Sequence, residues 1–321
     1  MNTHTQKKDK WLLTIICSVA FAAVIMVLSI PLQSYAAPAK QKTFASAEEA
    51  VKALIDAAKA GNQAELLAIF GPAAKDVLSS GDAVEDQTVR ERFVRAYESK
   101  NALVQDGDAK AILQIGPHDW PFPIPIVKKN QQWSFDTKKG KEELNNRRIG
   151  RNELNTIQTS LAYVDAQREY AAKDRDTDGL FEYAQKFLST PGAKDGLYWE
   201  AKPGEEESPF GDLFARATRE GYKKTDNKPV PYHGYYFKIL KAQGKDAPGG
   251  AYEYVVKGRM IGGFGMVAYP ANYSVSGVMT FIVNHDGVVY EKNLGKDTAK
   301  IGQAMKLFNP DKTWKKAESS K

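Results

Sequence analysis

Residues 264–292, FGMVAYPANYSVSGVMTFIVNHDGVVYEK, carry two apolar runs and a turn that together predict antiparallel β-structure. The runs are rich in β-branched and aromatic residues, and Asp286-Gly287 is typical of a tight hairpin turn. Similar runs lie on either side of this stretch. The predicted strands are residues 234–240, 252–256, 264–270, 277–284 and 288–292. The last third of the chain therefore predicts an antiparallel meander.

A helix is predicted before this meander. Asn152 can cap it, and Leu154, Ile157, Leu161 and Val164 recur at helical spacing until about Ala172. A short helix over 181–188 and an irregular connection over 192–230 follow. The segments GYYFKIL, GMVAYPANYSVSGVMTFIVN and HDGVVYEKNLG resemble the sheet of pseudopilin-type domains. This resemblance implies a pilin-like domain over residues 150–308, with a long helix on an antiparallel meander.

The first half of the chain predicts helices followed by strands. Ser46 caps the first helix, and two more helices are predicted over 64–70 and 84–97. A hairpin turns at Asp106-Gly107, alternating prolines at 121, 123 and 125 favour an edge strand, and 132–136 alternates again. This order and the opening EEAVKALIDAAKAGNQAELLAIFG resemble the nuclear-transport-factor-like or cystatin-like cone, a helix-plus-curved-sheet domain over residues 44–140.

These patterns predict an α+β fold of two domains. The stretch between them, Lys138 to Arg151, is polar and rich in charge, so it is interpreted as a joint at which proteases would cut first. Residues 309–321 form a polar tail. The cone is therefore expected to lie before the joint and the pilin-like domain after it.

The N-terminus has the order of a secretory signal. Lys7, Lys8 and Lys10 precede an apolar run over residues 11–32, and Ser34-Tyr35-Ala36 places small residues at a cleavage site after Ala36. The alternative is an uncleaved anchor, because the run approaches the ~20 residues that span a bilayer. Cleavage is favoured, and it predicts a periplasmic or extracellular protein that meets a membrane only if this segment is retained.

Composition limits the mature chain. Removal of residues 1–36 takes away Cys17, the only cysteine, so no disulfide, thiolate metal site or cysteine nucleophile remains. It also takes away three lysines and Asp9, which reduces the formal net charge from +6 to +4. Acidic and basic residues are interleaved instead of forming a basic stripe, which argues against nucleic acid as a partner.

The sharpest local motif is an acidic loop at residues 174–182. Carboxylates at alternate positions followed by Gly179 match the first half of an EF-hand calcium loop. The predicted ligands are Asp174, Asp176, Asp178, Leu180 through its carbonyl, and Glu182. Gln185 stands where a bidentate Glu normally closes the site, so weak calcium binding or an ordinary solvated loop are the two alternatives.

No sequence pattern identifies a catalytic residue. His118, His233 and His285 lie far apart and are interpreted as exposed turn residues, and no G-x-S-x-G elbow occurs. Gly258–Gly265 lacks the helix that follows a phosphate loop, and it is interpreted as a closely approached strand. Eight tyrosines are predicted to pack across strands, with sugar or peptide binding as the alternative. They are Tyr232, Tyr235, Tyr236, Tyr252, Tyr254, Tyr269, Tyr273 and Tyr290.

Residues 43–308 resemble an uncharacterised family of exported bacterial proteins, domain of unknown function family 2950. The resemblance rests on NELNTIQTSLAYVDAQREYAAKDRDTDGLFEYAQKFLSTPGAKDGLYW, PYHGYYFKIL and APGGAYEYVVKGRMIGGFGMVAYPANYSVSGVMTFIVNHDGVVYEKNLG. It implies fold and compartment but no reaction. The favoured function is a non-catalytic binding, scaffold or assembly module for an envelope protein or small ligand. The rival is an envelope enzyme with a site between the domains, and a pilus subunit is disfavoured because the apolar segment lies far from Leu154.

Overall fold

The computed structural model of the protein describes residues 40–175, 177–222 and 229–318. Residues Lys40–Lys321 cluster as one compact unit. The predicted signal over residues 1–36 lies outside the described part. Within that part, helices and antiparallel sheets make up the fold, so the α+β prediction is confirmed. The division into domains at 44–140 and 150–308 stays a prediction.

Seven α-helices and fifteen strands occur among the described residues. The helices are α1 (Ala47–Lys59), α2 (Gln63–Phe70), α3 (Lys75–Leu78), α4 (Ala83–Ser99), α5 (Thr137–Ala171), α6 (Gly211–Arg219) and α7 (Thr298–Ala304). The strands are β1 (Asn101–Gln105), β2 (Lys110–Ile115), β3 (Trp120–Pro121), β4 (Ile126–Lys129), β5 (Gln132–Phe135), β6 (Tyr235–Leu240), β7 (Ala242–Gln243), β8 (Tyr252–Glu253), β9 (Val255–Val256), β10 (Arg259–Met260), β11 (Gly265–Pro270), β12 (Met279–Asn284), β13 (Tyr290–Asn293), β14 (Leu307–Phe308) and β15 (Lys315–Lys316).

The first sheet is antiparallel and has the order β1-β2-β4-β5, with β3 paired to β2. Its hairpin about Asp106-Gly107 and its Pro121 edge strand confirm the sequence predictions. Ser46 caps α1 by accepting a hydrogen bond from the Glu49 N–H at 3.1 Å. Helix α1 packs on β4 and β5, and α4 packs on β1 and β2. The first apolar core therefore lies between these helices and the sheet.

The second large sheet has the order β15-β13-β12-β11-β6 and is antiparallel throughout. Helix α5 packs on β11 and β12, so a long helix lies on a meander as predicted. The predicted strand 252–256 is instead divided between β8 and β9, which belong to two small sheets. The predicted polar tail contributes the edge strand β15. Strand β14 pairs with β7 in parallel, a pairing that the sequence did not suggest.

The predicted joint at Lys138–Arg151 is helical. Helix α5 runs without a break from Thr137 to Ala171, so Asn152 lies inside a helix and caps nothing. The joint was inferred from charge density, but exposed charged residues suit the outer face of a helix equally well. Leu144 packs against the first core, whereas Ile157 and Val164 belong to the second. Leu154, predicted to be buried with them, is 47% exposed.

The segment 181–188 is not a helix. The Ala184 N–H donates to Gln167 Oε1 and its carbonyl accepts from Gln167 Nε2, both at 2.8 Å, so a side chain takes the hydrogen bonds that a helix would use. The predicted irregular connection at 192–230 contains α6, which the sequence analysis missed. This helix is short and amphipathic, and its Leu213 and Phe214 pack against the second core.

Alanine substitutions at two glycines of α5 should change the stability of the protein in opposite directions. A Cβ at Gly140 would lie 2.5 Å from Ile124 Cγ1 and 2.6 Å from the Pro123 carbonyl oxygen, whereas a Cβ at Gly150 would meet nothing within 4 Å. We expect Gly150→Ala to stabilise the protein by about 0.5–1 kcal/mol through helix propensity. We expect Gly140→Ala to destabilise it by about 1–3 kcal/mol through overpacking. Urea denaturation of both variants measures the difference, and stabilisation by both would contradict a continuous helix packed at Gly140.

Candidate functional site

A groove of about 1120 Å³ lies on the second half of the molecule. We call it the aromatic groove, because nine aromatic residues line it. Its aromatic residues are Phe187, Tyr198, Trp199, Phe210, Phe214, Tyr222, Tyr232, Tyr236 and Phe237. Hydroxyl and charged side chains share the lining, including Ser189, Thr190, Lys194 and Glu205.

Ring packing holds the wall of the groove in place. Tyr198 stacks on Phe214 of α6 with ring centroids 4.1 Å apart and an angle of 12° between the planes. Phe210 occupies the residue position just before α6 and belongs to the second core. Its ring lies parallel to that of Phe187, with ring centroids 6.3 Å apart. Aromatic pairs add about 0.5–1.5 kcal/mol beyond the area they bury. The groove is therefore largely formed before any ligand arrives.

A partly exposed cluster of charged side chains supports the same wall. The Glu206 carboxylate pairs with Lys173 at 2.7 Å, Arg175 at 2.8 Å and Lys194 at 3.0 Å. Arg175 and Lys194 also lie over the ring of Trp199, at 5.1 and 5.3 Å from its centre. The Trp199 Nε1–H donates to the Glu206 carbonyl oxygen at 3.0 Å. Hydrogen bonds from the three cations lower the pKa of the Glu206 carboxyl to about 2.

One end of the groove meets a buried polar junction between the two halves of the fold. Asp82 caps α4 by accepting from the Glu85 N–H at 3.1 Å. The same carboxylate accepts from the Tyr222 hydroxyl at 2.8 Å and from the Gly234 N–H at 2.9 Å. Burial and the neighbouring Asp82 charge raise the pKa of the Tyr222 hydroxyl. Asp82 therefore ties α4 of the first half to the segment that precedes β6.

His233 completes this polar junction. Its Nδ1 lies 3.6 Å from Glu85 Oε2, and its Nε2 lies 3.3 Å from Glu220 Oε2. Glu85 also pairs with Arg151 of α5 at 3.1 Å. Burial alone would raise the pKa of the Glu85 carboxyl, but His233 and Arg151 outweigh burial and hold it below its ordinary value. The junction thus brings the Glu85 and Glu220 carboxylates, the Arg151 guanidinium and the His233 ring together inside the protein.

The lining of the groove is suited to holding a ligand. Among its described residues, no titratable side chain is hydrogen-bonded to another titratable lining side chain, which is the arrangement that activates a nucleophile or base. Aromatic faces and hydroxyl groups instead offer stacking and hydrogen bonds. This combination is typical of concave binding sites with a few polar groups that orient the ligand.

A family model described as Protein of unknown function (DUF2950) matches residues 41–317. The chain belongs to this family. No curated protein matches the chain. No solved structure matches it either. Membership of DUF2950 covers almost all of the described residues and assigns no reaction to them.

Two carboxylates of the acidic loop predicted to bind calcium form ion pairs with an arginine. Arg259 pairs with Asp178, and its Nε lies 3.2 Å from Glu182. Asp174 accepts from the Gly179 N–H at 2.8 Å, while Asp176 lies outside the described residues. Among the described residues, no cluster of three or more His, Cys, Asp or Glu side chains could hold a metal. Calcium binding stays a prediction, and a calcium ion at Asp178 would compete with the Arg259 guanidinium.

The three histidines fall into different surroundings. His118 lies exposed in a turn, as predicted. His233 occupies a turn with a φ of 48°, but its side chain is largely buried in the polar junction, so the prediction of an exposed residue was wrong there. His285 is half-buried beside the Tyr252 hydroxyl at 3.2 Å. Sequence spacing could not reveal the contacts of His233, because its partners are more than ten residues away in every case.

The tyrosines divide between packing and the groove. Tyr235 and Tyr254 are fully buried, as the packing interpretation predicted. Tyr232 and Tyr236 line the aromatic groove, where the alternative of ligand binding applies. The glycine-rich segment is closely approached, as predicted, since a Cβ at Gly262 would lie 2.6 Å from the Glu253 carbonyl oxygen. Within the described range, no helix is long and apolar enough to cross a membrane.

Removing the charge of Glu206 should lower the free energy of unfolding by an amount that depends on pH. The carboxyl has a folded-state pKa near 2 against an ordinary 4.5, so its stabilisation is complete above pH 4.5 and is lost as the pH falls toward 2. We expect Glu206→Gln to cost about 1–2 kcal/mol near pH 7, because the cluster is partly exposed, and much less near pH 3.

Urea denaturation at the two pH values measures this difference. Glu207→Gln, at an exposed neighbouring site, is the matched control and should change stability by less than about 0.5 kcal/mol. An equal loss for Glu206→Gln at both pH values would show that the cations do not depend on its charge.

Proposed function

We propose that this DUF2950 protein is an exported, non-catalytic binding module whose aromatic groove holds an extended ligand with both ring-stacking faces and hydroxyl groups, of the oligosaccharide type. The observation that carries the proposal is the groove itself, with stacked aromatic side chains along its wall and hydrogen-bonding side chains among them. Its volume of about 1120 Å³ slightly exceeds the roughly 300–1,000 Å³ of small-molecule sites, which suits a ligand of several units.

Aromatic residues favour sugars because a flat ring covers the apolar face of a sugar, while its edge remains available for hydrogen bonds. Tyr198, Tyr232 and Tyr236 combine both properties, since each has an apolar ring and a hydroxyl at its tip. Ser189, Thr190 and Lys194 add donors along the same groove. A purely apolar ligand would leave these polar groups unpaired, and burying them unpaired is unfavourable.

The rival function, an enzyme with a site between the two halves, has less support. Charged side chains and a histidine do converge there, as an enzyme would require. However, Asp82 is 2% exposed and Glu85 is 6% exposed, and both are engaged in capping, ion pairing and holding the backbone. A substrate would have to displace these contacts to reach them. The polar junction is therefore better explained as a structural connection.

Export is supported by where the family match begins. It starts at residue 41, just after the predicted cleavage site at Ala36. The mature chain has no cysteine and is insensitive to oxidising surroundings. The proposed location is the periplasm or the extracellular space, and the proposed partner is an envelope component and not nucleic acid.

Mass analysis of the protein from an envelope fraction tests export. We expect an N-terminus at Ala37, because Ser34 and Ala36 supply the small residues that a signal peptidase requires. A protein in that fraction that still begins at Met1 would indicate an anchor. Recovery of the protein in the cytoplasm alone would contradict export.

Substitution of one tyrosine, Tyr198, tests whether the groove binds an oligosaccharide. We expect a soluble chito-oligosaccharide to change the fluorescence of Trp199, which lines the groove, and Tyr198→Ala to weaken binding at least about tenfold, or ~1.4 kcal/mol. Tyr252→Ala is the matched control, because Tyr252 is an exposed tyrosine outside the groove.

Calorimetric titration of the three proteins measures the affinities, and thermal melting confirms that each variant is folded. Equal weakening by both substitutions would rule out the groove as the site. Binding of an aromatic peptide but not of the oligosaccharide would retain the site and reject the sugar. Turnover of the oligosaccharide would reject the non-catalytic role.

A further inference from the structure

A second cavity, of about 360 Å³, lies in the first half of the fold and shares no lining residue with the aromatic groove. We call it the arginine-rimmed pocket. Its floor consists of apolar side chains from the first core, namely Leu54, Leu66, Phe70, Ile115, Phe122 and Ile124. Its volume falls within the range of roughly 300–1,000 Å³ that is typical of small-molecule sites. The pocket is thus large enough for a ligand and is independent of the proposed function.

Helix α4 lies over this pocket without filling it. Glu85 is the only buried residue of the 17 in this helix. Val89, Phe93 and Ala96 follow one another at helical spacing and line the pocket, yet Val89 is 36% exposed. Protein interiors are normally packed as densely as organic crystals. An apolar helix face over an open apolar cavity therefore favours an apolar ligand between them.

Five arginines line the pocket, and one of them, Arg148, is buried. Arg90 and Arg92 come from α4, and Arg147, Arg148 and Arg151 come from α5. The only acidic residue of the lining is Asp86, and its carboxylate accepts from the Ser80 N–H at 2.9 Å. Arginine is the side chain best suited to bidentate contacts with carboxylate and phosphate groups. The rim therefore attracts an anion.

Three of these arginines already have partners. Arg147 pairs with Glu143 at 2.6 Å, and Arg151 pairs with Glu85 at 3.1 Å. Arg148 donates to the carbonyl oxygens of Asp76, at 2.6 Å, and Val77.

The remaining two arginines form no ion pair with a described residue, although the charge of Arg92 helps to lower the pKa of the Glu85 carboxyl. Among the described residues, no carboxylate lies within ion-pair distance of Arg90 or Arg92. Since both side chains lie on α4 at the rim, they are the cations that remain available for the head group of a ligand.

From this combination we infer that the arginine-rimmed pocket binds a free single-chain fatty acid, with its chain on the apolar floor and its carboxylate at Arg90 and Arg92. A neutral hydrocarbon would leave the guanidinium groups without a partner. A small inorganic anion would leave the apolar floor uncovered. A nucleotide would need polar partners for its base and sugar, and the floor offers none beyond Gln63, Asp86 and the indole of Trp120.

A chain-length series tests the apolar part of this inference. Burial of a methylene group contributes about 0.8 kcal/mol, so each added carbon should tighten binding about fourfold until the pocket is full. Calorimetric titration of the full-length mature protein with octanoate, decanoate, dodecanoate and tetradecanoate, below their micellar concentrations, measures this slope. Affinity that does not depend on chain length would overturn the inference.

Charge substitutions test the head group. We expect the double variant Arg90→Gln/Arg92→Gln to weaken dodecanoate binding at least about tenfold. Arg95→Gln is the matched control, because Arg95 lies on the same helix, is exposed and does not line the pocket. Dodecanol should bind at least about tenfold more weakly than dodecanoate and should not distinguish the double variant from the parent. Equal losses in the double variant and the control would overturn the assignment.

Val89→Glu provides a variant that closes the pocket without disturbing the core. Val89 is partly exposed, so a glutamate is tolerated there and would place a negative charge at the entrance. We expect it to abolish dodecanoate binding while thermal melting stays within a few degrees of the parent. Retained binding in Val89→Glu would place the ligand elsewhere. Binding to phosphatidylglycerol vesicles without binding of monomeric dodecanoate would show that α4 contacts a membrane surface instead, and the inference would fall.

Discussion

The continuous helix α5 is the constraint on which the rest of the structure depends. It begins beside the first sheet, where Gly140 permits the backbone to approach Pro123 and Ile124, and it ends beneath the second sheet. Because a helix of this length is stiff, it holds the two apolar cores at a set separation. The aromatic groove and the arginine-rimmed pocket each lie against one of these cores, so α5 also sets the positions of both.

The buried face of α5 is unusually polar, so its buried side chains need hydrogen-bond partners. Thr156 and Ser160 donate their hydroxyls to the carbonyl oxygens four residues earlier, both at 2.8 Å. The Asn152 side-chain amide donates to the Ser276 carbonyl oxygen at 2.9 Å. The Gln167 side chain forms hydrogen bonds with both the N–H and the carbonyl oxygen of Ala184. A buried polar group is tolerated when it is hydrogen-bonded in this way. These contacts also connect distant segments, so the polar face specifies one arrangement of the two halves.

The two cavities differ in the chemistry they offer, and the difference follows from what surrounds each. Around the aromatic groove, three cations share the Glu206 carboxylate, and aromatic rings line the cavity beside hydroxyl groups. Around the arginine-rimmed pocket, Arg90 and Arg92 have no such acid, and the floor is almost entirely apolar. One site therefore suits a polar ligand with flat faces, and the other suits an amphipathic anion. In the polar junction, the Asp82 carboxylate accepts hydrogen bonds from Tyr222 and Gly234, so it is not available to a ligand in either cavity.

Local patterns in the sequence were enough to predict the α+β class, the Ser46 cap of the first helix, the hairpins at Asp106-Gly107 and Asp286-Gly287, and the burial of Tyr235. These features depend on residues a few positions apart. The continuity of α5 was missed because its first part, residues 137–151, buries only Thr137, Gly140 and Arg148 and therefore carries no hydrophobic periodicity. The groove, the pocket and the surroundings of His233 were missed because their residues are brought together from distant segments. Packing alone determines which charges find a partner and which remain available to a ligand.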